Sequence, residues 1–276
     1  MVPVALALGA SIAWGCSDFL AGIKTRRLTV LWVLLVSQGT GLALVLIAAL
    51  VSGNALPSGH AALLAAGAGV AELIGFAALY RALAVGAMSV VAPMSATAAL
   101  LPVVVSVATG QAPTTAQALG IAFALCGAAL ASFEPGSGGR QAVAGAGLAL
   151  IAALGFGIFF VGMDLAADEG ALWAVALNRA AAVAVLVGIV LALRPGPLER
   201  SALLPLAAVG ALDIAANTMF AIALTLGMAA IVSVLGSLYP LATVVLARAV
   251  LHEQVTGSQR AGVVAALAGI GLVSLA

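Results

Sequence analysis

Two acidic residues, Glu72 and Asp213, occupy matching positions inside long apolar segments. Asp213 lies 141 residues after Glu72, and the residues around the two acids also repeat. A carboxylate is unfavourable in the hydrocarbon of a membrane, so intramembrane acids usually mark a substrate, ion or proton pathway. We therefore predict that Glu72 and Asp213 bind protons or substrate. The structural alternative is that each acid simply pairs with a buried base.

Arg179 is the base available for such a pair, because it is the only Lys or Arg well inside an apolar segment. It can fully neutralise only one of the two acids. Two interpretations stay open for it, an anion-binding clamp for substrate and a structural counter-ion. Asn178 and Asn217 are candidate hydrogen-bond partners, since Asn217 follows Asp213 by four residues on the same helical face.

Aromatic residues recur at Trp14 and Phe156, near the middle of the first segment of each half. We interpret them as cavity walls that could stack on a flat ligand or bind a cation, with helix packing as the alternative. Asp18 lies one or two helical turns before Lys24, and we expect these two residues to pair near the lipid headgroups.

Hydroxyl groups lie near a proline in the ninth apolar segment. Ser233 and Ser237 share a helical face and, with Tyr239, could line a polar pathway beside Pro240. The alternative is that each serine bonds a carbonyl of its own helix, which is common.

The elements that carry these residues are transmembrane helices. The chain is 64% hydrophobic and only 7% charged, whereas soluble domains are about 25% charged. Apolar runs of about 20 residues span a bilayer as helices. We predict ten of them, at 3–22, 28–51, 61–83, 88–108, 115–133, 142–163, 171–193, 201–226, 229–250 and 258–275.

The ten helices form two repeats, which we place at 1–134 and 141–276. The last helix of each repeat shows the duplication clearly: QALGIAFALCGAALAS from Gln117 aligns with QRAGVVAALAGIGLVS from Gln259. Five helices is an odd number, so the second repeat must be inverted relative to the first. Inverted repeats are the usual architecture of secondary transporters, whose substrate sites lie near the midplane.

Basic residues give an orientation signal. Every Lys and Arg except Arg179 lies at an odd-numbered connection, and the positive-inside rule then places both termini outside the cytoplasm.

The ordered motifs resemble those of the drug/metabolite transporter superfamily, in its two-domain EamA form. The resemblance covers nearly the whole chain and implies a carrier of amino acids, metabolites, sugars or toxic compounds. It also implies cytoplasmic termini, opposite to the charge rule, so the orientation stays open. In the family pattern a glutamate follows the helix that precedes the last helix of a repeat. Glu253 occupies this place in the second repeat, but Gln111 stands there in the first. The pattern also does not usually include Glu72 or Asp213. The matching positions are Trp14, Gly15, Arg179, Gly227, Ser233, Ser237, Pro240, Glu253, Gly262 and Gly269.

Other function classes fit poorly. His60 and His252 lie at connections without metal-ligand spacing, there is no P-loop, and a net charge of +1 gives no nucleic-acid signal. We therefore predict no enzyme activity, cofactor or metal. The predicted function is alternating-access export of small metabolites or drugs across the cell membrane, coupled to protons, by a monomer or homodimer. The alternatives are an uncoupled facilitator or channel, and an uptake carrier for sugars or metabolites.

Overall fold

The protein is all-α in the residues that the computed structural model describes, which are 1–25, 28–85, 91, 94–131, 140–239, 241–242, 245–246, 250 and 257–275. No strand occurs in these ranges, and the helices fall into two sets of five, as predicted. The helices are α1 Val2–Thr25, α2 Val30–Val51, α3 Gly59–Val85, α4 Leu100–Ala108, α5 Thr115–Ala131, α6 Arg140–Ala167, α7 Ala171–Leu193, α8 Leu203–Leu226, α9 Ala229–Gly236 and α10 Gly257–Leu275.

The surface of the helix bundle suits a membrane. Six helices (α1, α2, α3, α6, α7 and α8) are long and apolar enough to cross a bilayer, and three further apolar helices are shorter. Large aliphatic side chains face outward, with Val51 and Leu204 80% and 81% exposed. Glu72, Arg179 and Asp213 are buried inside the bundle, so the fold is that of an integral membrane protein.

The two repeats pack on each other reciprocally. Helix α1 packs on α8 and α3 packs on α6, so the first helix of each repeat contacts the third helix of the other. The second helices follow the same rule, because α2 contacts α8 while α3 contacts α7, and the two last helices, α5 and α10, pack together. The contacts thus follow an approximate two-fold symmetry between inverted repeats.

The predicted ninth helix, 229–250, is interrupted by a turn, and helical residues occur on both sides of that turn among the described residues. Helix α9 ends at Gly236, and Ser237 and Leu238 form a turn in which the Leu238 amide donates to the Leu235 carbonyl at 3.3 Å. A proline follows at position 240 in the sequence, and proline disfavours helical geometry in the residue before it. In the fourth segment, a 3₁₀ turn at Thr97–Ala99 precedes α4. Pro93, Pro240 and Glu253 lie outside the described residues.

Candidate functional site

Two glycines bring helices of opposite repeats into backbone contact at the centre of the bundle. A Cβ at Gly69 would collide with the Asn178 carbonyl, and a Cβ at Gly210 would collide with the Ser37 carbonyl. Ser37 and Asn178 are themselves 141 residues apart, so the two contacts are equivalents. Only glycine permits this approach, which sets α3 against α7 and α8 against α2.

The close approach places Glu72 and Asp213 beside one arginine. Glu72 lies three residues after Gly69, and Arg179 follows Asn178 directly. Arg179 Nη2 lies 3.1 Å from Glu72 Oε1 and 2.8 Å from Asp213 Oδ2. All three side chains are buried, with Arg179 0% exposed. The structure therefore brings the two predicted acids together through a shared guanidinium group.

Gln38 completes this cluster and was missed by the sequence reasoning. The Arg179 guanidinium donates from Nη1 to Gln38 Oε1. Gln38 precedes Arg179 by 141 residues, the same offset that relates Glu72 to Asp213. Aligning the second helices of the two repeats would have revealed it. The four side chains (Gln38, Glu72, Arg179 and Asp213), here called the central cluster, thus consist of two equivalent pairs on the pseudo-two-fold axis.

The two asparagines lie beside the central cluster. Asn217 Nδ2 donates to the Asp213 carbonyl at 3.0 Å and reaches Asp213 Oδ1 at 3.4 Å. Asn178 is fully buried beside the Glu72 carboxylate, and Asn217 Oδ1 has no hydrogen-bond partner in the described part of the chain. The arrangement therefore leaves polar groups available for a water molecule or a ligand.

A cavity of about 30 Å³ adjoins the central cluster. This volume is enough for a water molecule or a group of similar size. Among the described residues, the acidic lining side chains are Asp18 and Glu72. The other lining side chains are aromatic: Trp14, Phe76, Phe156, Phe159, Phe160 and Tyr239.

Trp14 and Phe156, predicted as cavity walls, both line this cavity, and both also pack on other rings. The Trp14 ring lies 5.3 Å from that of Phe220, and the Phe156 ring meets Phe76 edge-on at 5.2 Å. The Trp14 side chain also lies close to the Asp213 carboxylate. The wall and packing roles are therefore compatible.

Asp18 corrects the sequence analysis, which left it out of the site. It lines the cavity and lies close enough to Asp213 for their charges to interact. No ion pair joins it to Lys24 in the described part of the chain. The physical reason is helical phase: Asp18 follows Trp14 by four residues and therefore shares its inward face.

The two serines of the predicted polar pathway, Ser233 and Ser237, differ in their hydrogen bonding. Ser237 donates to the Val234 carbonyl at 2.8 Å, as in the alternative reading, whereas the buried Ser233 hydroxyl has no partner among the described residues. Neither serine is among the described residues that line the cavity, but Tyr239 is, and its hydroxyl lies 3.5 Å from Ser95 Oγ.

Two tryptophan side chains join the repeats away from the cavity. Trp32 Nε1 donates to the Gly196 carbonyl at 2.7 Å, and Trp173 Nε1 donates to the Asn54 carbonyl at 3.0 Å. We call these contacts the tryptophan bridges. Trp32 and Trp173 are equivalent residues, so inversion of the repeats puts the two bridges at opposite membrane faces.

The Trp173 bridge has an acidic neighbour. Glu169 accepts hydrogen bonds from the Ser58 amide at 2.6 Å and from the Ser58 hydroxyl at 2.9 Å. These bonds, the amide bond first, hold the pKa of Glu169 below its ordinary value. This face therefore has an additional contact between the repeats.

The chemistry available at the central cluster is the binding and release of one positive charge by its two carboxylates. One guanidinium group faces two carboxylates, so the cluster carries a net charge of −1 when all three groups are ionised. A bound proton or a monovalent cation would neutralise it. No group of three or more His, Cys, Asp or Glu side chains placed to hold a metal occurs in the described ranges.

Comparisons with known proteins agree with the two-repeat fold. The sequence model of the EamA-like transporter family matches residues 1–133 and 143–275. No curated protein matches the chain. One solved crystal structure is similar with a TM-score of 0.80 at 18% identity, covering 99% of this chain and 96% of the other. That structure supports the fold alone.

Proposed function

We propose that this chain, which belongs to the EamA-like transporter family, exports small molecules across the cell membrane in exchange for protons. Small-molecule transport follows from the family. The direction, the coupling ion and the alternating-access mechanism are our proposal. The observation that carries it is the central cluster, in which two buried carboxylates of opposite repeats share one arginine.

The charge of the central cluster supports proton coupling. A net charge buried in a low-dielectric interior is strongly unfavourable, and one proton shared by Glu72 and Asp213 removes it. A cationic substrate or a rearrangement of Arg179 would release that proton. Proton and substrate then compete for the same acids, which is the requirement for exchange.

The symmetry of the fold supports alternating access. Because the central cluster lies on the pseudo-two-fold axis, the repeats can exchange their packing without moving the cluster off the midplane. Each membrane face has its own tryptophan bridge, so either face can open while the other stays closed. In this structure both bridges are formed.

The proposed working unit is a monomer or a homodimer. The main alternative function is an uncoupled channel. A second alternative is an uptake carrier, which would use the same cluster but move substrate into the cell. A channel needs a continuous open path, whereas the cavity among the described residues has a volume of only about 30 Å³.

The test is proton movement in liposomes that contain the purified protein and a pH-sensitive dye. Amino acids, sugars, purines and lipophilic cations are added singly under an imposed proton gradient. We expect proton movement with at least one class, and its loss in Glu72→Gln and Asp213→Asn. Asp164→Asn is the matched control, because Asp164 lies on α6 and is not among the residues that line the cavity.

Substrate flux without proton movement, unchanged in the Glu72 and Asp213 variants, would contradict coupling and favour a channel or facilitator. The sign of substrate accumulation relative to the proton gradient distinguishes export from uptake.

A further inference from the structure

We propose that a groove on the side of the helix bundle binds an acyl chain of a membrane phospholipid. Helices α1 and α10 and the segment after α9 form the walls of this space, here called the lateral groove. Its volume is about 470 Å³, whereas that of the cavity beside the central cluster is about 30 Å³. The transport argument does not use the lateral groove, so the proposal is independent of proton exchange.

The lateral groove opens towards the lipid. Ile12 on α1 and Leu267 on α10 line it and are each 59% exposed, and Val245, after α9, is 51% exposed. Because the bundle lies in a membrane, exposed aliphatic side chains at these places contact lipid hydrocarbon. Ser11 and Leu238 also line the groove and are buried. The groove therefore leads from the lipid-facing surface into the bundle.

The lining of the lateral groove is hydrocarbon. Of the described lining residues, only Ser11 and Cys16 carry a polar side-chain atom, and none is charged. Water in this space would lack the several hydrogen-bond partners that a buried water molecule needs. A charged or sugar-like solute would likewise find too few partners for its polar groups. An alkyl chain has no polar group to satisfy and fits this lining.

The size of the lateral groove suits a chain better than a helix of a second copy. One turn of an α-helix is about 10 Å across and about 5.4 Å long, which amounts to about 400 Å³. The groove would therefore hold little more than a single turn. A methylene group is about as large as a water molecule, whose share of the liquid is about 30 Å³. The groove thus has room for about 15 methylene groups, which is close to the length of an ordinary acyl chain.

The lateral groove shares two walls with the central cavity. On α1, Ser11 lines the groove and Trp14 lines the cavity, and after α9 the neighbours Leu238 and Tyr239 are divided in the same way. A chain in the groove packs on both walls and supplies the dispersion contacts that an empty gap would lack. Lipid tails are as apolar as these walls, so the affinity comes from packing and not from the hydrophobic effect.

Fluorescence quenching in detergent tests the site, with a phosphatidylcholine that carries bromine atoms on its acyl chains. Tryptophan is introduced by Ile12→Trp in the groove or by Leu154→Trp as a matched control. Ile12 and Leu154 are repeat equivalents and are both 59% exposed, but Leu154 is not among the described lining residues. Relative to wild type, we expect saturable quenching of the tryptophan at position 12 at low lipid concentration, and none at position 154.

Native mass spectrometry after a detergent wash gives a second measurement. Ala242→Phe places a ring in the groove, whereas Ala268→Phe places one on an exposed position of α10 outside the described lining. We expect wild type and Ala268→Phe to retain a phospholipid and Ala242→Phe to lose it. If Ala242→Phe does not fold, the comparison of positions 12 and 154 decides.

Saturable quenching at position 12 alone supports the proposal, as does loss of the phospholipid in Ala242→Phe alone. Equal quenching at positions 12 and 154, or no saturable quenching at either, overturns it. Equal retention of phospholipid by wild type and Ala242→Phe also overturns it, and so does a retained molecule whose mass is not that of a phospholipid. None of these measurements involves transport, so failure here leaves the proposed function unchanged.

Discussion

At the scale of single residues, Arg179 determines whether the centre of the molecule is stable. Its guanidinium group contacts Glu72, Asp213 and Gln38, and it is completely buried. Removal of the base from a buried ion pair leaves an uncompensated buried charge. This lowers stability more than replacement of the whole pair by apolar residues does.

We therefore expect Arg179→Gln to lower the free energy of unfolding by up to about 3–5 kcal/mol. The double variant Arg179→Gln/Asp213→Asn should recover part of this loss, because it buries one carboxylate fewer. Thermal unfolding in detergent measures both. A double variant less stable than Arg179→Gln by the full effect of Asp213→Asn would show that the charges are not coupled.

Glu169 gives the chain a pH-dependent contact outside the membrane. The bonds from Ser58 lower its pKa from 4.5. Their contribution to stability is therefore present above about pH 4.5 and is lost as the pH falls through the lowered value. We expect Glu169→Gln to lower the melting temperature slightly at pH 7, with the difference shrinking towards pH 3. Asp168→Asn, an exposed neighbour in the same connection, serves as the control.

At the scale of the elements, the glycine contacts determine how the helices position the acids. Gly69 and Gly210 remove the side chains that would separate α3 from α7 and α8 from α2. Each contact lies within one turn of an acid of the central cluster.

We expect Gly69→Ala to destabilise the protein by about 1–3 kcal/mol, because the new Cβ overlaps a backbone carbonyl that cannot rotate away. Gly67→Ala is a matched control on the same helix, where a Cβ would meet nothing within 4 Å. Alanine should be neutral or stabilising by up to about 1 kcal/mol there. Equal melting temperatures of the two variants would disprove the close contact.

The tryptophan bridges predict opposite effects on the two faces. Trp32→Phe and Trp173→Phe each remove one hydrogen bond between the repeats, at opposite ends of the cavity. Each should raise access to the cavity from its own side. Access can be measured with a membrane-impermeant maleimide on Phe76→Cys, in a background lacking Cys16 and Cys126, using vesicles of both orientations. Changes on the same face in both variants would contradict the assignment.

At the scale of the whole molecule, the pseudo-two-fold symmetry predicts that the arginine can change repeats. Gln38 and Arg179 are equivalent residues in contact with each other. The exchange Gln38→Arg/Arg179→Gln should therefore restore most of the stability lost in Arg179→Gln, since the base still reaches both acids from the other repeat. If the exchange variant has the same melting temperature as Arg179→Gln, the symmetry does not extend to the side chains.

The sequence predicted the framework well. The apolar runs indicate the ten helices, and the repeated residues around Glu72 and Asp213 indicate both the duplication and the acids. It failed where a helix is broken at Ser237, because an apolar run has no signal for the turn except a nearby proline. It also misassigned Asp18, because the nearby Lys24 suggested a pair and no tertiary contact was available to contradict it.

By itself, the amino-acid sequence determined that this chain lies in a membrane as two inverted repeats with acids in the hydrocarbon. Those properties depend on composition, period and self-similarity, which are local and can be read along the chain. Only the tertiary structure decided that Arg179 contacts both acids, that Gln38 joins them and that Asp18 enters an aromatic cavity. The contacts of Arg179 with Glu72 and Gln38 join residues 107 and 141 positions apart. They exist because glycines let particular helices of opposite repeats cross at that point.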